Sequence, residues 1–283
     1  MGRDESEEIV KIGLVLGSGG ARGYAHIGVL RAIEKHGIEV AAIAGCSMGG
    51  IIGALHAAGY SSERIHEMWK GLDPLKLIDR STMGGLIGGR GVTRHLEQYL
   101  PRNFEDLKIP VAVTSVDVQR GKLVVLRSGD LPRALRATSA LAGLFAPETH
   151  EGRILVDGGI LNGLPVDVIR TLTQAPVVAV DTSSPADREI AFSDERTAWE
   201  KVRHPIFGRP LIFEMLMKAI EIPQAPLTSI RLSLNPPEVL IRPALDPNLK
   251  LEDYKRLEEA VEAGFAAADA KLTEHAELLR ANQ

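Results

Sequence analysis

From Ile9 to Asp181 the chain alternates short apolar runs with segments whose apolar positions recur every three or four residues. The runs Ile9–Leu16, Val40–Ala44, Ile109–Val118, Lys122–Arg127, Arg153–Val156 and Pro176–Asp181 are rich in β-branched residues, and each is predicted as a strand. Between them, Tyr24–His36, Met48–Ala58, Glu63–Gly71, Leu131–Ala142 and Val166–Leu172 carry a helical period. Gly37 and Gly59 stand where the first two helices should stop. Strands that alternate with helices predict one α/β domain around a mostly parallel sheet.

The texture changes after Ser183: Ala186–His204 is polar and loop-like. Leu211–Ile222 is a helix apolar nearly all round, a pattern read as buried. Glu238–Ile241 is a last strand, and Glu252–Arg280 a long amphipathic helix. The boundaries expected are an acidic flexible tail at 1–8 and a single domain over 9–283, with 186–235 a less typical helical elaboration. Residues 79–92 form a Gly-rich stretch with Met83, Leu86 and Ile87, either a lid or an ordinary loop.

Charge removes one class of function. With 33 Lys and Arg against 37 Asp and Glu, the net charge of −4 argues against a phosphate-coating nucleic-acid binder. Cys46 is the single cysteine, so neither a disulfide framework nor a multi-cysteine zinc cluster is expected. No paired histidines and no calcium-loop pattern appear, so no metal and no cofactor are expected. The sequence MGRDESEEIV lacks the basic and apolar regions of a secretory signal, and cytoplasmic placement is the expectation.

Glycine is frequent, at 28 residues, and the chemistry gathers where it clusters. Gly45-Cys46-Ser47-Met48-Gly49 lies between a predicted strand and a predicted helix, the setting of a G-x-S-x-G nucleophile elbow. The sharp turn requires Gly45 and Gly49 to lack side chains, and it projects the Ser47 hydroxyl from its tip. A plain tight turn is the competing reading. The second cluster, Gly17-Ser18-Gly19-Gly20-Ala21-Arg22-Gly23, also joins a strand to a helix, where backbone N–H groups converge. Such a nest holds a phosphate or an oxyanion. A dinucleotide fingerprint fails, because Arg22 stands where a small residue is needed and Glu39 opens the next strand instead of ending it. The third is Asp157-Gly158-Gly159, a strand-end carboxylate beside two glycines, which serves either as a turn or as the base that a hydroxyl nucleophile needs. A triad histidine should follow Asp157 and a strand. His204 and His275 are the two histidines after Asp157, and neither follows a strand, which favours a Ser–Asp pair.

Taken together, Gly19-Gly20-Ala21-Arg22-Gly23, Gly45–Gly49 and Asp157-Gly158-Gly159 resemble the motifs of the patatin-like phospholipase family in order and spacing. The likeness extends over residues 9–182, with Leu161–Val166 matching an Asn/Pro-containing stretch. Ser18 and Ala142 depart from the family, which often has glycine and proline there. The resemblance implies a three-layer α/β/α fold with a mostly parallel central sheet. It further implies Ser47 as nucleophile, Asp157 as base, Gly19, Gly20 and Arg22 around the oxyanion, and hydrolysis of a lipid acyl ester. Arg22 either steadies its loop or attracts an anionic headgroup. A catalytically silent regulatory module on the same fold is the alternative. The partners expected are a lipid or acyl-ester substrate, transient contact with a membrane surface, and a second subunit through the apolar helix at 211–222; nucleic acid is not expected.

Overall fold

The computed structural model describes residues 10–70, 79–80, 87–183, 211–249 and 253–281. The expected tail at 1–8, the polar stretch at 186–204 with His204, and residues 81–86 of the Gly-rich stretch lie outside the described residues. Within helix 211–234, the side chains of 211–214, 216 and 217 also lie outside them.

Ten strands are described: β1 (Lys11–Leu16), β2 (Glu39–Gly45), β3 (Asp79–Arg80), β4 (Ile87–Gly88), β5 (Val111–Asp117), β6 (Lys122–Leu126), β7 (Glu148–His150), β8 (Arg153–Asp157), β9 (Val177–Val180) and β10 (Val239–Ile241). The helices are α1 (Ala25–Lys35), α2 (Met48–Ala58), α3 (Ser62–Lys70), α4 (Arg90–Leu96), α5 (Leu131–Thr138), α6 (Gly159–Asn162), α7 (Val166–Ile169), α8 (Leu211–Leu234), α9 (Leu257–Glu274) and α10 (Ala276–Ala281). The central sheet has eight strands, ordered β10-β9-β1-β2-β5-β8-β7 with β6 also on β5. From β10 to β5 every pairing is parallel. β6, β7 and β8 pair antiparallel. β3 and β4 form a separate two-stranded hairpin.

The change of direction at β5 brings the site together. Ile43 donates its N–H to the Pro110 carbonyl, and Val118 donates its N–H to the Ile154 carbonyl. Residues 110 and 118 are an even number apart, so both bonds leave the same edge of the extended segment. β2 and β8 therefore share one edge of β5 and run toward each other. Gly45 ends opposite Val113, and Asp157 ends opposite Ser115.

Helices cover both faces. On one face Ile12, Leu14 and Leu16 pack with α1, α2, α5 and α9 in a large buried cluster. On the other face Val15, Ala42, Ala44, Ala112, Val177 and Ala179 pack with Leu164, Val166, Val168 and Ile169. The alternation along β1 sends its side chains to opposite layers, as a strand covered on both faces requires. α1 and α9 touch backbone to backbone: a Cβ on Gly28 would stand 1.9 Å from Val261 O, and one on Gly264 would stand 2.0 Å from Ala25 O.

Three helical expectations are corrected. The helix expected over Leu131–Ala142 stops at Thr138, and the chain then turns through Gly143 at a φ of 83°. The long C-terminal helix breaks at His275 into α9 and α10. The helix expected to end at Ile222 continues through Pro223 and Pro226 to Leu234. Its expected burial also fails, since Met215 and Ile222 are 54% and 58% exposed.

Candidate active site

The chain leaves β2 at Gly45, turns at Ser47 and enters α2. Ser47 is held at φ 54° and ψ −125°, a backbone region that costs a side-chain-bearing residue about 1–3 kcal/mol. Such strain is held only where the surroundings dictate it. Here a Cβ on Gly49 would stand 2.2 Å from Leu16 O, and one on Gly45 would stand 2.6 Å from the Gly50 Cα. Gly49 lets the elbow press against the end of β1, and Gly45 lets the end of β2 meet the first turn of α2. Ser47 N–H donates to Thr138 Oγ1 at 3.0 Å, and the Thr138 hydroxyl donates to Thr114 O at 2.5 Å. Ser47 is the N-cap of α2, yet its side chain makes no capping bond. The hydroxyl lies close enough to Asp157 to favour the ionised carboxylate.

Asp157 is 5% exposed. Burial raises its pKa above the ordinary carboxylate value, while hydrogen bonds from Ser47, the Gly159 N–H and Cys46 act in the opposite direction. Gly159 N–H donates to Asp157 Oδ1 at 2.8 Å, and the Cys46 thiol lies 3.6 Å from the same oxygen. Burial, with Asp157 beside it, pushes the Cys46 thiol well up, so it keeps its proton and acts as a donor. Gly158 allows the close fit: a Cβ there would stand 2.4 Å from Thr114 O.

The glycine loop leaves β1 and opens a 3-10 turn over Gly20–Tyr24. Gly17 N–H donates to Val180 O, and Ser18 N–H to Gly163 O. No acceptor among the described residues takes the Gly19 N–H. Gly20 begins the turn, so its N–H has no partner within it. Gly20 has a φ of 51°, in the left-handed region that glycine enters freely. Gly23 clears the start of α2, since a Cβ there would stand 2.7 Å from Met48 Cβ.

Arg22, expected around the oxyanion with its side chain either steadying the loop or attracting a headgroup, is 3% exposed and turned inward, which fits the steadying role. Its Nε donates to Thr182 O at 3.0 Å, Nη2 to Ser183 O at 3.2 Å, and Nη1 to Leu249 O at 3.3 Å and Asp246 O at 3.4 Å. Its backbone N–H donates to Gly19 O. Arg22 is a clamp that ties the loop to segments far along the chain. His26 supports the same loop from below: fully buried, it lies 2.7 Å from Gly17 O through Nε2. Burial lowers its pKa to about 4, so the ring is neutral and Nε2 carries the donated proton.

The fold thus brings Ser47 and Asp157 together, with Gly158 and Gly159 at the base and Gly45, Gly49 and Gly23 as sterically required gaps. Three participants were not picked out from the sequence: Thr138, Cys46 as a donor, and Gln224. A Cβ on Gly159 would stand 3.1 Å from Asp157 Oδ1, 3.2 Å from Gln224 Nε2 and 3.4 Å from Ser18 Oγ, so α8 supplies a polar wall beside the carboxylate. No local pattern marks these residues, because partners distant in sequence bring them to the site.

An elbow, a glycine loop and a strand-end Asp-Gly-Gly on a parallel sheet with an antiparallel extension define an α/β protein with an elbow-type site. Residues 14–170 match the family model described as patatin-like phospholipase, and the chain belongs to that family. An uncharacterized NTE family protein of Mycobacterium bovis is 39% identical over 176 residues, which is 60% of this chain and 48% of that protein. Lysophospholipase NTE1 of Debaryomyces hansenii is 30% identical over 283 residues, covering 93% of this chain and 18% of that protein. The chain therefore spans about half of the mycobacterial relative and under a fifth of the yeast one. Among solved structures, VipD from Legionella pneumophila superposes with a TM-score of 0.59 at 16% identity, covering 93% of this chain and 67% of that one, a likeness of fold.

Proposed function

We propose that the chain is a serine lipid acyl hydrolase working through a Ser47–Asp157 dyad. The observation that carries this reading is a strained, uncapped Ser47 close to a buried carboxylate, on an elbow that packs against Leu16 O and Gly17 O at the start of the glycine loop. Asp157 takes the Ser47 proton as the hydroxyl oxygen attacks the ester carbonyl. The N–H groups of Gly19 and Gly20 receive the oxyanion, an interaction of the kind whose loss typically costs about 2.7–4 kcal/mol of transition-state stabilisation. Collapse of the intermediate expels the alcohol, which leaves with the proton held by Asp157. Water then gives a proton to Asp157 as it attacks the Ser47 ester, and collapse of this second intermediate releases the fatty acid as Asp157 returns the proton to Ser47 Oγ.

Family membership and the 30% identity to lysophospholipase NTE1 support a lysophospholipid or phospholipid acyl ester as the substrate class. No histidine is among the groups that hydrogen-bond to Asp157 among the described residues, which supports the carboxylate itself as the base. The test is active-site labelling with a fluorophosphonate, wild type beside Ser47→Ala, followed by ester hydrolysis across acyl lengths. Labelling confined to Ser47 with faster turnover of longer chains is expected. Equal labelling of Ser47→Ala would remove the nucleophile, and turnover restricted to short chains would remove the lipid assignment.

A further inference from the structure

α8 has two unlike sides. Among the described residues from Met215 to Leu234, nine are exposed, and none of them is charged. Met215, Ile222, Ile230 and Leu234 are the large ones, 54%, 58%, 55% and 73% exposed. At about 100° per residue the nine fall within an arc of about 140°. The opposite side faces the protein. Gln224 lies beside Gly159 at the candidate site. Arg231 donates to Leu161 O at 3.1 Å and pairs with Asp167 at 3.1 Å, and Leu232 packs against the buried sheet cluster. The charged residues Lys218, Glu221 and Arg231 are half-buried and lie off the outer stripe.

A stripe this apolar needs an occupant. A second copy of the chain is the first to weigh. The stripe is about 30 Å long and about 10 Å wide, or about 300 Å² per partner. That is well below the roughly 800 Å² per partner of a stable dimer. Insertion across a bilayer does not fit either. No described helix is long and apolar enough to span one. Pro223 and Pro226 lie on the outer side and remove two N–H donors from the helical ladder, leaving carbonyls that need water. A helix lying in the plane of a lipid surface satisfies both facts: the stripe enters the headgroup and acyl boundary, and the carbonyls stay within reach of water. Charge selects the lipid. An uncharged stripe on a chain of net charge −4 has no attraction for an anionic membrane and matches a zwitterionic one.

We propose that the outer stripe of α8 docks the protein on a zwitterionic phospholipid surface, with Gln224 on the opposite side holding the helix at the wall of the site. The purpose of this docking rests on the lipid acyl hydrolase reading; its measurement does not.

The experiment uses the full chain and sucrose-loaded phosphatidylcholine vesicles, with bound protein read by sedimentation at low salt and at 0.5 M salt. Wild type is compared with the double variant Ile222→Glu, Ile230→Glu. Turnover of p-nitrophenyl butyrate, a monomeric ester, is followed in parallel, and analytical ultracentrifugation reports the size of each species. The expected result is that wild type binds equally at both salt concentrations and the variant loses at least tenfold in partition coefficient. Its turnover of the monomeric ester should stay within twofold of wild type, which also shows that it folds. Absence of wild-type binding, equal binding by the variant, or binding that vanishes at 0.5 M salt would overturn the proposal. So would a wild-type dimer that the variant dissociates, since a second copy would then be the occupant. Vesicle binding with the expected pattern but no ester turnover and no fluorophosphonate labelling would leave the docking surface standing and sink the hydrolase reading instead.

Discussion

Gly49→Ala tests how tightly the elbow is tied to the glycine loop. The added Cβ would stand 2.2 Å from Leu16 O, 2.5 Å from Gly17 O and 2.6 Å from Leu16 C. All three atoms are backbone, so no side chain can swing aside. Ordinary contact begins near 3.4 Å, and the start of α2 must retreat from the end of β1 by about 1 Å. Overpacking of this kind costs about 1–3 kcal/mol. Better helix propensity returns up to about 1 kcal/mol. A net loss of about 1–2 kcal/mol is expected, seen as a melting temperature lower by several degrees. The effect on catalysis should be larger in proportion. The retreat would move Ser47 away from the proposed Gly19 and Gly20 donors, and a 1 Å misplacement can cost about 100-fold. Gly50→Ala is the control: its Cβ would meet only the side chains of Val113 at 3.0 Å and Thr138 at 3.4 Å. Both variants are assayed by thermal unfolding and by kcat/KM on a monomeric ester. Gly49→Ala with wild-type kcat/KM would refute the idea that this contact sets the distance between nucleophile and oxyanion donors.

Ser47→Gly and Ser47→Ala should both be inactive, but Ser47→Gly should be the more stable by about 1 kcal/mol in urea unfolding, because glycine tolerates a φ of 54°; equal stabilities would deny the strain. Burial raises the Asp157 pKa in the folded state above its unfolded value, so the ionised carboxylate destabilises the fold and stability falls as pH rises through the raised pKa. Asp157→Asn should therefore be inactive yet gain stability over wild type at neutral pH, with the gain disappearing below the ordinary carboxylate range; a pH-independent difference in urea midpoint would contradict this. The wild-type acid limb of kcat/KM should likewise lie above that ordinary range. His26 has a folded pKa lowered to about 4 against 6.5, so its contribution is present above pH 6.5 and is lost as pH falls toward 4, by about 3 kcal/mol; NMR of the ring should show no titration near pH 6.5. Arg22→Lys should lower the melting temperature, because a point charge cannot serve four carbonyls as the planar fork does; unchanged stability would remove the clamp.

Much of the frame could be read from local pattern. β1, β2, β5 and β9 are apolar runs because both faces of each strand are covered, and that shows in composition alone. The elbow was legible because its steric demands fall on adjacent residues. What escaped depends on distant partners. The antiparallel pairing of β8 leaves no mark in Arg153–Asp157, since strand direction is set by the path of residues 118–152. Arg22 was legible as part of a motif, and steadying the loop was one of its two expected roles, but its carbonyl partners lie 160 to 227 residues away, so the choice between the two was not. α8 was cut short at Ile222 because proline reads as a stop; both prolines lie on the outer side, where their rings meet no packed neighbour layer and the helix continues.

The proposed base also explains why a carboxylate suffices without a histidine. At its ordinary pKa near 3.8 an aspartate holds protons too weakly to draw one from an alcohol. Removing Asp157 from water raises its proton affinity, while its hydrogen-bond donors act in the opposite direction. The site balances the two. Gly159 N–H, at 2.8 Å, fixes one oxygen with a full-strength bond, and the Cys46 thiol, at 3.6 Å, adds a weak one to the same atom. A raised thiol pKa keeps that donor protonated, so it supports the carboxylate and does not compete with it for charge. The topology makes the arrangement possible. Because β2 and β8 meet end to end on one edge of β5, Ser47 and Asp157 arrive from opposite directions at the same point, as the proposed dyad requires.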